Sequence, residues 1–152
     1  LWLKSPLLMS NYLNVDAELD SDGFWCTGDV FERKYNKLFY KSRRKDLMKI
    51  NSHNVSPIGI ENAILVLDGV DEVCVISKER GLGEKYIVAI ISSQDPQINK
   101  SLVMNAIESK LMPYELPKDI IVTKETLPRN QMGKIQRHVI QGIYGEVNED
   151  QS

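Results

Sequence analysis

Leu127-Pro128-Arg129-Asn130-Gln131-Met132-Gly133-Lys134-Ile135-Gln136-Arg137 sets a proline and a glycine around a polar loop that finishes in a single lysine. Ile135, Val139 and Ile143 then follow at helical spacing, so a last helix with one apolar stripe is expected from Lys134 onward. Such a loop holds an ammonium group on a flexible stem, where it can meet a phosphate or a carboxylate. A lysine in the first turn of a helix stands beside the positive end of the helix dipole, which is locally unfavourable. A residue that breaks a local rule is a candidate for function.

Working back from the loop, Ile120-Ile121-Val122 reads as a short strand. Leu102, Val103, Ala106, Ile107 and Leu111 form the inner face of a helix, expected to be capped by Ser101 and stopped by Pro113. Val73–Ser77 and Tyr86–Ile91 read as strands joined by a hairpin loop from Lys78 to Lys85. Gly81, Gly83 and Lys85 lack the full glycine spacing of a phosphate loop, and a strand rather than a helix follows them. Ser56-Pro57 starts a helix, with a hydroxyl to cap it and a proline suited to the first turn. Ile60, Ala63, Ile64 and Leu67 form its buried stripe, and Gly69 is its expected end. Leu47–Ile50 and His53–Val55 make a small hairpin through Asn51-Ser52. Residues 1–45 read as short strands and turns, with turns at Asp20–Gly23 and Tyr35–Lys37. The expected fold class is α+β: a short β-hairpin and a three-stranded sheet packed with about three helices, preceded by further strands.

The 152 residues suit one domain, or one domain and a remnant of another. A hydrophobic content of 42% and a charged content of 26% are ordinary for a globular chain. A net charge of −2 argues against a nucleic-acid partner, although Lys41, Arg43, Arg44, Lys45 and Lys49 concentrate basic charge in one stretch. Cys26 and Cys74 form neither a zinc motif nor a disulfide framework and read as reduced thiols in a cytoplasmic setting. His53 and His138 have no partner at ligand spacing, and Asp20/Asp22 lack the later ligands of a calcium loop, so no metal site is expected. No apolar run approaches the roughly 20 residues of a membrane span. The chain opens on Leu-Trp-Leu without methionine and reads as a piece of a longer protein.

Three more segments precede the lysine loop in order: Thr27-Gly28-Asp29, Ser42-Arg43-Arg44-Lys45-Asp46 and Val55-Ser56-Pro57-Ile58-Gly59-Ile60-Glu61. With the loop they resemble the C-terminal part of the adenylate-forming enzymes, the superfamily of acyl-CoA synthetases, firefly-type luciferases and peptide-synthetase adenylation domains. The resemblance extends over residues 1–143. It implies that residues 1–44 are the terminal strands of a large N-terminal AMP-binding domain, that 45–145 form a mobile C-terminal domain, and that 146–152 are a polar tail. It implies a hinge at Lys45, where a few element-end dihedrals absorb the rotation. It assigns the ATP ribose hydroxyls to Asp29, and ribose or phosphate to the planar donor fork of Arg43, leaving Arg44 exposed. It makes Lys134 the catalytic lysine, stabilising charge as a carboxylate attacks the α-phosphate of ATP. Lys49 and Ser52 lie on the face it assigns to the second half-reaction.

The implied activity is that of an AMP-forming acid–thiol ligase, using ATP with Mg2+ and CoA or a pantetheine thiol. Its partners are the large domain of the same parent chain, a carboxylic acid and, in one variant, a carrier protein. Val55-Ser56-Pro57 stands closer to fatty-acyl and aryl CoA ligases than to amino-acid adenylation domains. Two departures stand out: Ser52 and Gly59 occupy positions where relatives usually carry glycine and glutamate. The alternatives are an assembly-line adenylation domain that loads a carrier, and a domain that has lost catalysis and serves in binding or regulation. The 152-residue chain alone is expected to be inactive, because most of the ATP and acid pocket lies outside it.

Overall fold

Val73 and Val75 alternate with Cys74 and Ile76 along one strand, and Ile87, Ala89 and Ile91 with Val88 and Ile90 along the next. The first set faces one apolar cluster and the second another. A strand whose neighbours point to opposite faces can be buried on both only where both faces are covered. The computed structural model shows this arrangement. It describes residues 1–8, 19–81 and 83–145, together with the backbone of Asn11–Tyr12 and Val15–Asp16. The tail expected at 146–152 lies outside the described residues.

The chain separates into two compact units, Leu1–Asp46 and Leu47–Ser152. The first holds paired short strands: β1 (Trp2–Leu3), β2 (Asn11–Tyr12), β3 (Val15–Asp16), β4 (Trp25–Cys26), β5 (Asp29–Lys34) and β6 (Lys37–Arg43). They pair antiparallel as β1 with β4, β2 with β3 and β5 with β6. Tyr35 and Asn36 take φ of 48° and 62°, so the β5–β6 connection is a tight two-residue turn. Among the described residues of this unit only Ser42 is buried, while Trp2, Leu38, Phe39 and Tyr40 are exposed. Two-stranded sheets with no core of their own are marginal in water.

The second unit contains β7 (Met48–Ile50), β8 (His53–Val55), α1 (Pro57–Leu65), β9 (Glu72–Arg80), β10 (Glu84–Ser92), α2 (Lys100–Ile107), β11 (Asp119–Thr123) and α3 (Arg137–Gly145). β10 is central, antiparallel to β9 and parallel to β11. On one face α1, α2 and the β7–β8 hairpin pack through Ile60, Ile64, Val103, Ile107, Ile50 and Val55. On the other, Ile140 of α3 and Leu127 cover Cys74, Ile76, Val88 and Ile90. The α+β expectation therefore holds, with three α-helices, the hairpin and the three-stranded sheet among the described residues.

Several boundaries differ from expectation. α2 is capped by Asn99, whose Oδ1 accepts the Leu102 N–H at 3.0 Å, rather than by Ser101. Burial of Ile98 just before it fixes the direction in which the chain enters. α2 ends at Ile107, and Pro113 instead opens a short 3₁₀ turn, Pro113–Glu115. α1 ends at Leu65, four residues before Gly69. Gly69 serves the following turn: its φ is +88°, and a Cβ there would stand 2.7 Å from Asp95 Oδ2. Ser56 occupies the N-cap of α1 without a capping hydrogen bond from its side chain.

Gly59 is exposed within α1, and a Cβ on it would meet nothing within 4 Å. It supplies flexibility that the helix does not need. Gly59→Glu is expected to stabilise the C-terminal unit by about 1 kcal/mol, through better propensity and a carboxylate near the helix start. Thermal melts should show a rise on the order of 5 °C. An unchanged or lower midpoint would contradict this account of the helix.

Candidate functional site

The lysine loop is pinned at both ends and closed upon itself. Leu127 is buried, and its N–H donates to Glu72 Oε2 at 2.6 Å. Arg129 donates through Nε to Glu72 Oε1 at 2.8 Å, while its other nitrogens reach the same carboxylate and the Gly133 carbonyl. Asn130 Oδ1 accepts the Met132 and Lys134 N–H groups at 3.0 and 2.9 Å, and the Asn130 N–H donates to the Lys134 carbonyl at 2.9 Å. Gly133 takes a φ of +77°, which turns the chain back toward Ile135. Arg129 and Ile135 bridge antiparallel across the turn. The loop is thus a small built hairpin that ends in Lys134.

Lys134 itself is exposed and makes no side-chain hydrogen bond or ion pair with any described residue. It does not open the helix. α3 begins at Arg137, three residues later, so the expected penalty from the positive end of the helix dipole does not apply. The reason is local: the Gln136 N–H is taken by the Pro128 carbonyl at 2.8 Å, which keeps the segment in the hairpin until Arg137. An unpaired ammonium on a fixed backbone is suited to an incoming anion.

At the far end Arg137 anchors the loop. Its Nη2 lies 2.5 Å from Glu61 Oε1, and its Nε donates to the Val75 carbonyl at 3.1 Å. Glu61 Oε1 also accepts the Val75 N–H at 2.9 Å. Burial pushes the neighbouring Cys74 thiol up to about 11, which leaves it protonated and unreactive. At the near end, burial by itself would push the Glu72 carboxyl up. The Leu127 N–H and the Arg129 guanidinium outweigh it and hold Glu72 below the usual carboxylate range.

In the first unit, Asp29 and Arg43 stand opposite each other across β5–β6, with Arg43 Nε 3.2 Å from Asp29 Oδ1. A register shift at Val30/Phe31 leaves Lys41 as an extra residue on β6. Without it, the same turn would set Ser42 opposite Asp29. Thr27 Oγ1 accepts the Asp29 N–H at 3.0 Å, and the Arg44 N–H closes onto the Gly28 carbonyl at 2.7 Å. Thr27, Gly28, Arg43, Arg44 and Lys45 line a depression of about 380 Å³. A carboxylate beside an exposed guanidinium fits a sugar diol flanked by phosphate. Lys45 is the middle residue of the 3₁₀ turn Arg44–Asp46, where the first unit ends.

Lys49 and Ser52 lie on the β7–β8 hairpin, both exposed. The hairpin packs through Ile50 and Val55 on the sheet face opposite that carrying the lysine loop. Asn51, not Ser52, holds the positive φ of the turn, 50°, so the backbone does not demand glycine at position 52. His53 stacks on Tyr114 with ring centroids 4.2 Å apart. Among the described residues, no three His, Cys, Asp or Glu side chains converge on a possible metal position. No described helix is long and apolar enough to cross a membrane.

The structure thus brings Asp29 and Arg43 together in one unit, and in the other sets Lys134 and the Lys49–Ser52 hairpin on opposite faces of one sheet. Sequence reasoning missed the residues that hold the loop, Glu72, Arg129 and Asn130. Of these, Asn130 was legible, since Asn two residues before a turn position favours an Asx turn.

The AMP-binding enzyme C-terminal domain family matches residues 59–134, so the match ends on the lysine of the loop. Acyl-CoA synthetase 7 of Caenorhabditis elegans is 32% identical over 151 residues, covering 95% of this chain and 28% of that protein. Long-chain-fatty-acid–CoA ligase FadD13 of Mycobacterium tuberculosis is 32% identical over 146 residues, covering 93% of this chain and 29% of that protein. Among solved structures, ATP-bound MatB from Rhodopseudomonas palustris superposes with a TM-score of 0.71 at 29% identity, over 85% of this chain and 26% of its own. The chain spans less than a third of the length of each of these relatives. By sequence match and by fold, it belongs to the AMP-binding enzyme C-terminal domain family, the C-terminal portion of adenylate-forming enzymes.

Proposed function

We propose that this chain serves as the C-terminal portion of an ATP-dependent, AMP-forming acid–thiol ligase of the acyl-CoA synthetase type. The observation that carries the reading is the unpaired Lys134 ammonium at the end of a pinned loop. In the first half-reaction a carboxylate oxygen attacks the α-phosphorus of ATP, the α–β bridging P–O bond breaks, and pyrophosphate leaves. Lys134 stabilises the charge that gathers on the α-phosphate and bridging oxygens and orients the acid. Asp29 accepts the ribose hydroxyls, and Arg43 donates to ribose or phosphate. ATP brings Mg2+, whose ligands this reading assigns to the large domain. In the second half-reaction the thiol loses its proton to solvent, its sulfur attacks the acyl carbon, the acyl C–O bond to the phosphate breaks, and AMP leaves.

The second half-reaction is assigned to the Lys49–Ser52 face, with CoA or a pantetheine arm as the thiol. One sheet cannot turn both faces to the same bound intermediate at once. A rotation at Lys45 between the two half-reactions is part of this reading, and the placement of the two candidate sites on opposite faces supports it. The first unit, with its exposed Trp2, Leu38, Phe39 and Tyr40, then belongs to a large domain that covers it. The reading sets the reaction in the cytoplasm, where Cys26 and Cys74 stay as thiols.

The test is acid-dependent pyrophosphate release by the full-length parent over a panel of acids, with and without CoA. Release with at least one acid and thioester formation only with CoA are expected, while the 152-residue chain alone stays silent. Release by that chain alone, or silence of the parent with every acid, would sink the proposal. Thioester formation on a carrier protein but not on CoA would favour an assembly-line loader.

A further inference from the structure

Closure of the 130–134 turn by Asn130 fixes the shape of the loop but not its direction from the sheet. Direction comes from the two ties to β9, and the near one depends on a single carboxylate. Glu72, the first residue of β9, has a side chain only 14% exposed. It takes the Leu127 N–H on one oxygen and the Arg129 guanidinium on the other. Arg129 then spends another nitrogen on the Gly133 carbonyl, one bond before Lys134. One guanidinium therefore links the sheet to the residue from which the lysine springs.

We propose that Glu72 is a positioning residue for adenylation, acting through Arg129 to fix the direction in which Lys134 leaves the loop. This rests on the reading of Lys134 given above. The lysine stem is long and flexible, so its aim depends on the backbone that carries it. Misplacement of a reacting group by about 1 Å can cost on the order of a hundredfold in rate. Glu72→Gln keeps the size of the side chain and removes the charge that Arg129 needs. Arg129→Lys keeps the charge at an exposed position but loses the fork that spans Glu72 and Gly133.

Two measurements decide it. In the 152-residue chain, amide hydrogen exchange at Gly133 and Lys134 should quicken by about tenfold in both variants, while Val88 and Ile90 stay protected. In the full-length ligase, Glu72→Gln should lower kcat for acid-dependent pyrophosphate release by roughly tenfold with little change in KM for ATP. Transfer to CoA from supplied acyl-adenylate should stay within about twofold, because that step uses the other face. In a Lys134→Ala background, Glu72→Gln should add almost nothing. Equal loss in both half-reactions, an additive loss in the Lys134→Ala background, or unchanged exchange at Gly133 and Lys134 would each overturn the proposal. Lys134→Ala with wild-type adenylation would overturn both this proposal and the reading beneath it. Loss in Lys134→Ala with none in Glu72→Gln or Arg129→Lys would overturn this proposal alone.

Discussion

On the proposed function, Lys134→Ala in the full-length parent is expected to lower acid-dependent pyrophosphate release by on the order of a hundredfold to a thousandfold, the scale seen when one donor to a developing oxyanion is removed. The effect should fall on kcat rather than on KM for ATP. The ammonium is unpaired among the described residues, so on the proposed function its strongest interaction is with charge that arrives with the reaction. Its loss leaves no buried partner behind and opens no cavity, since the residue is exposed. Stability should therefore hardly change, which separates a catalytic loss from an unfolding one. Lys134→Arg keeps the charge but not the compact ammonium, and should recover only a small part of the rate. Transfer of a supplied acyl-adenylate to CoA should survive in both variants. Adenylation by Lys134→Ala within a few-fold of wild type would remove Lys134 from the chemistry.

The architecture was legible where physics is periodic. The apolar runs Val73–Ile76 of β9 and Ile87–Ile91 of β10 mark strands covered on both faces, and Ile60, Ile64, Val103 and Ile107 mark the helices that cover one of them. What failed were choices between near-equal local signals. Asn99 and Ser101 are both good caps, and the decision came from Ile98, whose burial depends on tertiary packing. Lys134 was read into a helix because Ile135, Val139 and Ile143 continue the helical spacing. Two backbone hydrogen bonds, Gln136 to Pro128 and Asn130 to Lys134, keep that segment in a hairpin. The candidate site was proposed from residue types, and its geometry was not legible. Asp29 faces Arg43 because one extra residue shifts the β5–β6 register, a feature without a reliable sequence mark. Glu72 lies 57 residues before Arg129, and an ion pair at that separation carries no periodic signal.

The largest effect on stability is expected at Arg137. β9 is an edge strand, and Val75 presents an N–H and a C=O at that edge. Glu61 accepts the first, Arg137 donates to the second, and the two side chains pair with each other at 2.5 Å. Gln141 extends the cover by donating to the Ser77 carbonyl at 2.8 Å. Side chains from α1 and α3 thus do the work of a neighbouring strand and close an edge that would otherwise invite pairing. Arg137→Met leaves the Glu61 carboxylate, only 13% exposed, without its counter-charge, and leaves the Val75 carbonyl without its donor. The expected cost is about 2–3 kcal/mol, set by the stranded charge more than by the lost pair. That is a fall of roughly 10–20 °C in the melting midpoint of a unit of this size. Adding Glu61→Gln removes the stranded charge and keeps an acceptor for the Val75 N–H. The double variant should therefore recover about 1 kcal/mol relative to Arg137→Met alone. If the double variant is less stable than Arg137→Met, the pair acts through packing and not through charge. Because Arg137 is also the far anchor of the lysine loop, on the proposed function Arg137→Met in the full-length parent should slow adenylation even at temperatures where the unit stays folded. This loss should exceed that of Glu72→Gln, since Arg137 holds both the loop and the strand to which the loop is tied.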